Sequence, residues 1–200
     1  MPATLFLMRH GETVWNRDQR FQGQRDSPLT TRGLDQARRM GATLAHHIPD
    51  RAGWTIVASP LGRAQHTARI ICQVLGFDPV QIASDARLSE VDVGDWAGLT
   101  HEEIEAASPG VLDGSTRYDW IFRAPHGETY DDMTERVCAF LADAGSAERL
   151  IVVAHGVTGR LLRSLYLDLP KEDGLALEAS QDAIFRLSGG AVDRIPCLAW

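Results

Sequence analysis

The chain has no apolar run near the roughly 20 residues needed to cross a bilayer. It also lacks a basic stretch followed by an apolar core at its start, the pattern of a secretory leader. These absences predict a cytoplasmic protein with no membrane contact. Cysteine is scarce: Cys72, Cys138 and Cys197 are odd in number and show no CxxC spacing, which speaks against a disulfide framework and against a zinc site. Cys72 and Cys138 are expected on helices, in or near the core. Positive charge is short too, with 20 Lys and Arg against 27 Asp and Glu, a formal net charge of -7. That is the wrong sign for a surface that displaces counterions from nucleic acid, so no nucleic-acid partner is expected. Repeats and low-complexity tracts are absent. What is present, 200 residues with 44% hydrophobic and 24% charged, suits one domain over 1–200 with a sizeable core.

Leu5 to Met8 is a short apolar run closed by Arg9, His10 and Gly11, which reads as a buried strand ending in a glycine turn. Val14 to Arg25 is polar and broken, as a loop would be. Thr31 to Ile48 carries Leu34, Ala37, Gly41, Leu44, Ala45 and Ile48 at helical spacing, with Thr30 or Thr31 to cap it. Trp54 to Ala58 reads as a strand, and Ser59-Pro60 as the cap and first turn of a helix reaching Leu75. A short strand is expected between Val80 and Leu88, an irregular stretch over Glu90 to Gly98, and a short helix over 100–107. Asp113 to Gly127 is loop-rich, and a helix starts near Thr129. Leu150 to Gly156 repeats the opening pattern, an apolar run ending in histidine and glycine, so the two strands are expected to be central neighbours. Val157 to Tyr166 supplies the helix after it, and Ala183 to Leu198 folds as a hairpin around Ser188-Gly189-Gly190. Strands alternating with helices predict an α/β fold: a mostly parallel central sheet with helices on both faces, a C-terminal β-hairpin, and a loop-rich, partly helical cap from about 90 to 130.

In open α/β sheets ligands bind outside the carboxyl ends of the strands, where Arg9, His10 and His155 fall. Arg63, near the start of the helix after the second strand, joins them if the strands are neighbours. Two guanidiniums offer planar forks of donors suited to phosphate or carboxylate. A histidine beside fixed positive charge is pushed toward the neutral, nucleophilic imidazole, so His10 is placed to attack phosphorus without a metal.

The ordered series Arg9-His10-Gly11-Glu12-Thr13 with Trp15-Asn16, Gln22-Gly23, Asp26 to Thr30, Gly33, Gln36-Ala37, Ser59 to Ala64, Leu88-Ser89-Glu90, Gly94 to Gly98, Gly127-Glu128-Thr129 and Ala154-His155-Gly156 resembles the histidine phosphatase superfamily, also called the phosphoglycerate mutase-like family. The resemblance covers nearly the whole chain. It implies a phosphoglycerate mutase-like three-layer fold and a metal-independent phosphatase without cofactor. It implies that His10 becomes phosphohistidine, that Arg9, Arg63 and His155 hold the phosphoryl oxygens, that Asn16 adds a phosphate contact, and that Glu90 is the acid and base. Gln22 and Gly23 are expected in the pocket wall.

Taken singly, each residue has a plainer reading: a satisfied strand-end histidine, surface arginines in ion pairs, a solvated loop glutamate, an asparagine that stabilises a turn. Glu12 is expected either to brace the segment after it or to touch a ligand. His46-His47 reads as a helix-end dipole partner, and Trp15 and Trp96 as packing. The expected substrate is a small phosphorylated metabolite, with inorganic phosphate as product, and the oligomeric state, a dimer among the options, stays open. Two alternatives remain: a cofactor-dependent phosphoglycerate mutase and an inactive phosphate-binding module. Asp92 and Asp95 after Glu90 favour hydrolysis over mutase action, because they would repel a phosphoglycerate. Arg117 and Arg123 would restore positive charge. Specificity is expected in residues 15–25 and 100–130.

Overall fold

The computed structural model describes residues 4–115, 119–145 and 147–199. Their elements run β1 (Thr4–Arg9), α1 (Val14–Arg17), α2 (Thr31–His47), β2 (Trp54–Ala58), α3 (Gly62–Leu75), β3 (Ala83–Ser84), α4 (His101–Ala107), α5 (Tyr130–Ala144), β4 (Arg149–Ala154), α6 (Gly156–Tyr166), α7 (Lys171–Ala176), β5 (Ala183–Ser188) and β6 (Ala191–Pro196). The sheet order is β3-β2-β4-β1-β5-β6, parallel from β3 to β1 and antiparallel over β5 and β6. β1 and β4 are the central neighbours, in a register that pairs Arg9 with Ala154. Pro196 ends the edge strand β6, where its missing N–H interrupts no ladder.

Alternation along the central strands divides the core in two. Phe6 and Met8 of β1 and Ile151 and Val153 of β4 pack with Met40 and Leu44 of α2 and Ile71 and Leu75 of α3. Leu5, Leu7, Leu150 and Val152 face the other way, onto Val137, Phe140 and Leu141 of α5 and Leu161 and Leu162 of α6. Period-2 side chains on strands buried from both sides explain why β1 and β4 read as continuous apolar runs. Each buried Leu or Ile contributes roughly 1.5–3 kcal/mol.

The structure corrects the sequence reading in several places. The loop Val14–Arg25 contains the one-turn helix α1, where Thr13 and Asn16 form a reciprocal capping box. α3 starts at Gly62 rather than at Ser59-Pro60, and its first N–H groups donate to the carboxylate of Asp26, from Gly62 at 2.6 Å and from Arg63 at 3.2 Å. A cap supplied from a distant loop leaves no local signature. The strand between Val80 and Leu88 shrinks to two residues, and α7 falls in a segment where no helix is expected. Cys72 is buried as expected, but Cys138 faces outward from α5. His46 and His47 do occupy the last turn of α2, and Trp96 is buried.

Gly11 and Gly33 let the turn after β1 lie directly on the start of α2. A Cβ on Gly11 would come within 2.2 Å of the Gly33 carbonyl oxygen, and one on Gly33 within 2.0 Å of the Glu12 carbonyl oxygen. Glu12 braces this contact through Thr30 Oγ1, which donates to its carboxylate at 2.8 Å. No helix among the described residues is long and apolar enough to cross a membrane.

Candidate active site

His10 follows β1 directly, and its backbone N–H donates to Ala154 of the neighbouring strand at 3.0 Å. Its ring is buried, with Nδ1 2.8 Å from the Gly11 carbonyl oxygen. A carbonyl can only accept, so Nδ1 carries the ring proton and Nε2 keeps its lone pair. The Nε–H of Arg63 donates to that Nε2 at 3.2 Å. Burial first, then the charges of Arg9 and Arg63, hold the His10 pKa well below the ordinary histidine range.

Arg63 is locked in place. Its Nη1 donates to the Arg25 carbonyl at 2.7 Å and to Asp26 Oδ1 at 3.0 Å, and its Nη2 to the Gly23 carbonyl at 2.7 Å. Arg9 sends Nη1 to the Ala179 carbonyl at 2.8 Å, while its buried Nε has no acceptor among the described residues. His155 sits between β4 and α6, as the N-cap residue of α6. Its Nε2 lies 2.7 Å from Ser59 Oγ, and its buried Nδ1 has no partner among the described residues. Burial, Arg63, His10 and Arg9, in that order, keep it neutral too. The two histidine rings stand 5.2 Å apart.

Glu90 lies at the N-terminus of α6. One carboxylate oxygen accepts from the Thr158 N–H and hydroxyl, both at 3.1 Å, and the other from the Val157 N–H at 3.1 Å. The loop that carries Glu90 is clamped from α5, where Arg136 Nη1 donates to the carbonyls of Arg87 at 2.7 Å and Ser89 at 2.8 Å. Glu128 holds the same guanidinium through Nη2 at 2.8 Å. Gly94 lets the chain turn beneath this clamp, since a Cβ there would come within 2.1 Å of the Pro125 carbonyl oxygen.

A cavity of about 560 Å³ opens over His10, lined by Arg9, Asn16, Gln22, Gly23, Arg63 and Glu90 together with residues from 18–21, 91–93, 100–102 and Ile121. Seven of the eight expected site residues, His10 among them, therefore line one cavity, and the eighth, His155, packs near His10 without lining it. Asn16 lines it but also accepts from Thr13 N–H at 3.2 Å and from Gln181 Nε2 at 3.3 Å, so it stabilises its turn as well. The buried Oε1 of Gln22 has no donor among the described residues.

Asp92 and Asp95 do not bear on substrate charge as expected. Neither lines the cavity: Asp92 accepts from the Gly94 N–H at 2.9 Å, and Asp95 contacts His126 at 3.1 Å. The carboxylates that do line it besides Glu90 are Asp18 and Glu102. His126 is 85% exposed and outside the lining. Arg123 donates to the Asp113 carbonyl at 2.8 Å, and Arg117 lies outside the described residues. Among the described residues no three His, Cys, Asp or Glu side chains cluster to hold a metal ion.

Sequence reasoning missed Gln181, Thr158 and Arg136, and it placed Asp26 in a motif without its role of capping α3 and holding Arg63. Gln181 donates to the His10 carbonyl at 3.0 Å, from a stretch with no periodic pattern. Glu128 belongs to a visible motif, and Arg136 follows it by two helical turns, the one local hint of the clamp.

Residues 5–190 match the model of the histidine phosphatase superfamily (branch 1), and the chain belongs to that family. It is 40% identical to a protein of Enterobacter sp. (strain 638) named "Probable phosphoglycerate mutase GpmB", over 83% of this chain and 75% of that one. Among solved structures, Bacillus stearothermophilus YhfR superposes with a TM-score of 0.77 at 32% identity, covering 96% of this chain and 95% of that one. A mycobacterial glucosyl-3-phosphoglycerate phosphatase superposes with a TM-score of 0.73 at 30% identity, covering 99% and 98%. The α-ribazole phosphatase of Shigella flexneri, at 24% identity and a TM-score of 0.78 over 98% and 96%, shares the fold.

Proposed function

We propose that this chain hydrolyses phosphomonoesters of small metabolites through phosphohistidine. The observation that supports it most is the state of His10: neutral, with its Nε2 lone pair at the buried end of a cavity flanked by Arg9 and Arg63. Nε2 attacks phosphorus, the bond to the ester oxygen breaks, and Glu90 in its acid form passes a proton to the departing alkoxide. Glu90, now a carboxylate, takes a proton from water as that water attacks the phosphohistidine. Inorganic phosphate leaves and His10 returns neutral. Arg9, Arg63 and His155 bear the charge on the transferring oxygens, which are preplaced donors of the kind that lower such barriers most. Asn16, Gln22 and Gly23 complete the phosphate end. Residues 90–130 act within the same single domain as its cap, and the chain works without a membrane or nucleic-acid partner.

Rapid quench with a radiolabelled ester tests the reading: an acid-labile, base-stable phosphoenzyme is expected in the native chain and not in His10→Ala. A phosphoenzyme that survives in His10→Ala would overturn it. The names of the curated relatives favour a second reading, a phosphoglycerate mutase. Isomerisation of 3-phosphoglycerate in the presence of bisphosphoglycerate, faster than phosphate release, would establish that one instead.

A further inference from the structure

The exposed end of the cavity differs in chemistry from the buried end. Phe21, His101 and Ile121 line it with the carboxylates of Asp18 and Glu102. The aromatic wall is braced from behind: Trp120 meets Phe21 edge-on at 4.8 Å and His101 at 5.1 Å, and stacks on buried Trp96 at 5.8 Å. Arg20 is the arginine lining this end among the described residues, and its charge is neutralised. Its Nη1 and Nη2 grip both oxygens of Glu103 at 2.7 and 3.1 Å, and Nη1 also donates to the Gly98 carbonyl at 2.7 Å. Asp18 is held by Arg17 at 2.9 Å, whereas Glu102 has no ion pair among the described residues.

We infer that this end selects the alcohol half of the ester: a neutral or cationic alcohol with a flat apolar face, and not one that carries a carboxylate or a second phosphate. This rests on the hydrolase reading above. An anionic alcohol would leave water for a wall that offers, among the described residues, no unpaired cation and one carboxylate without an ion pair. A flat apolar one covers Phe21, His101 and Ile121, and a cationic group on it meets Glu102. Because the phosphate end is positive and the alcohol end is not, the two halves of the substrate are read by different rules.

Benzyl phosphate, 4-carboxybenzyl phosphate and 4-(aminomethyl)benzyl phosphate test this, because the methylene insulates the leaving oxygen from the substituent. At about pH 8, above the ordinary histidine range, kcat/KM for the carboxylated ester is expected to be about fivefold or more below that for benzyl phosphate, with the aminomethyl ester at or above it. In Glu102→Lys the carboxylated ester gains roughly tenfold relative to benzyl phosphate, and Glu102→Gln gives a smaller gain. The readout is a ratio, so a general loss in a variant cancels. Equal turnover of the carboxylated and neutral esters by the native chain, or an unchanged ratio in both Glu102 variants, overturns the selectivity and leaves the hydrolase reading standing. No turnover of any of the three esters, with no phosphoenzyme, overturns both.

Discussion

Arg63 donates its Nε–H to His10 Nε2 at 3.2 Å, and the same guanidinium is bound to the carbonyls of Gly23 and Arg25. One buried cation therefore aims the nucleophile, keeps it unprotonated and joins the loop after α1 to the start of α3. Arg63→Met is expected to lower kcat/KM on a simple aryl phosphate by about 10²–10³, the scale for removing one preplaced donor. It should also raise the His10 pKa, because a nearby positive charge disappears. Nitrogen-detected NMR of the native imidazole should show a neutral ring protonated at Nδ1 at about pH 6, below the ordinary histidine pKa. An imidazolium signal there would refute the assignment.

Much of this was legible in the chain because its signals are local. β1 and β4 announce themselves as apolar runs that end in histidine and glycine, and their pairing brings His10 and His155 together. Arg9, Arg63 and Glu90 are legible through the family's ordered motifs. What could not be read are contacts between residues far apart in sequence: Asp26 capping α3, Gln181 bonding the His10 carbonyl, Arg136 holding the chain before Glu90. Such contacts impose no period on either segment. Which carboxylates face the substrate is illegible for the same reason, since the turns at Gly94 and Gly98 carry Asp92 and Asp95 away from the cavity while α4 brings Glu102 to it.

Stability should depend on pH through the buried histidines. Burial and neighbouring arginines depress both His10 and His155, so the unfolded chain binds protons near pH 6.5 that the folded chain refuses. Stability is then fully present above the unfolded value and is lost as pH falls below it, by up to about 1.4 kcal/mol per pH unit for each histidine. Urea titrations in phosphate-free buffer between about pH 5 and 7 should show this slope. A His10→Gln/His155→Gln double variant should be distinctly flatter; identical slopes would remove these two histidines as its source.

The Arg136 clamp should act on rate through Glu90. Arg136→Ala removes the donor to the Arg87 and Ser89 carbonyls and leaves Glu128 half-buried without its cation. The loss is expected to be about 3–5 kcal/mol of stability and mainly kcat, with KM little changed. A general acid matters most when the leaving group is poor. The variant should therefore lose more on benzyl phosphate than on 4-nitrophenyl phosphate, with partial recovery in Arg136→Lys. A purely structural role would depress both esters equally.

Among the described residues, two buried side-chain nitrogens, Arg9 Nε and His155 Nδ1, have no hydrogen-bond partner. Burying a polar group unpaired costs about 1–3 kcal/mol, and both flank His10, so an anion that accepts from Arg9 Nε, and from His155 when its ring proton sits on Nδ1, should bind and stabilise the fold. Inorganic phosphate or orthovanadate at about 100 times its Kd should add about 2.7 kcal/mol to unfolding stability, read as a rise in Tm. Chloride at equal ionic strength should add far less, since it carries one charge where phosphate carries nearly two and has no separate oxygens to span the spaced donors. In Arg9→Met the rise should shrink, because the guanidinium is gone and His155 is left as the remaining orphan. Arg9→Lys should restore only part of it, a point charge lacking the planar fork. A Tm shift unchanged in Arg9→Met would place the anion elsewhere and deny Arg9 its role at the phosphate end.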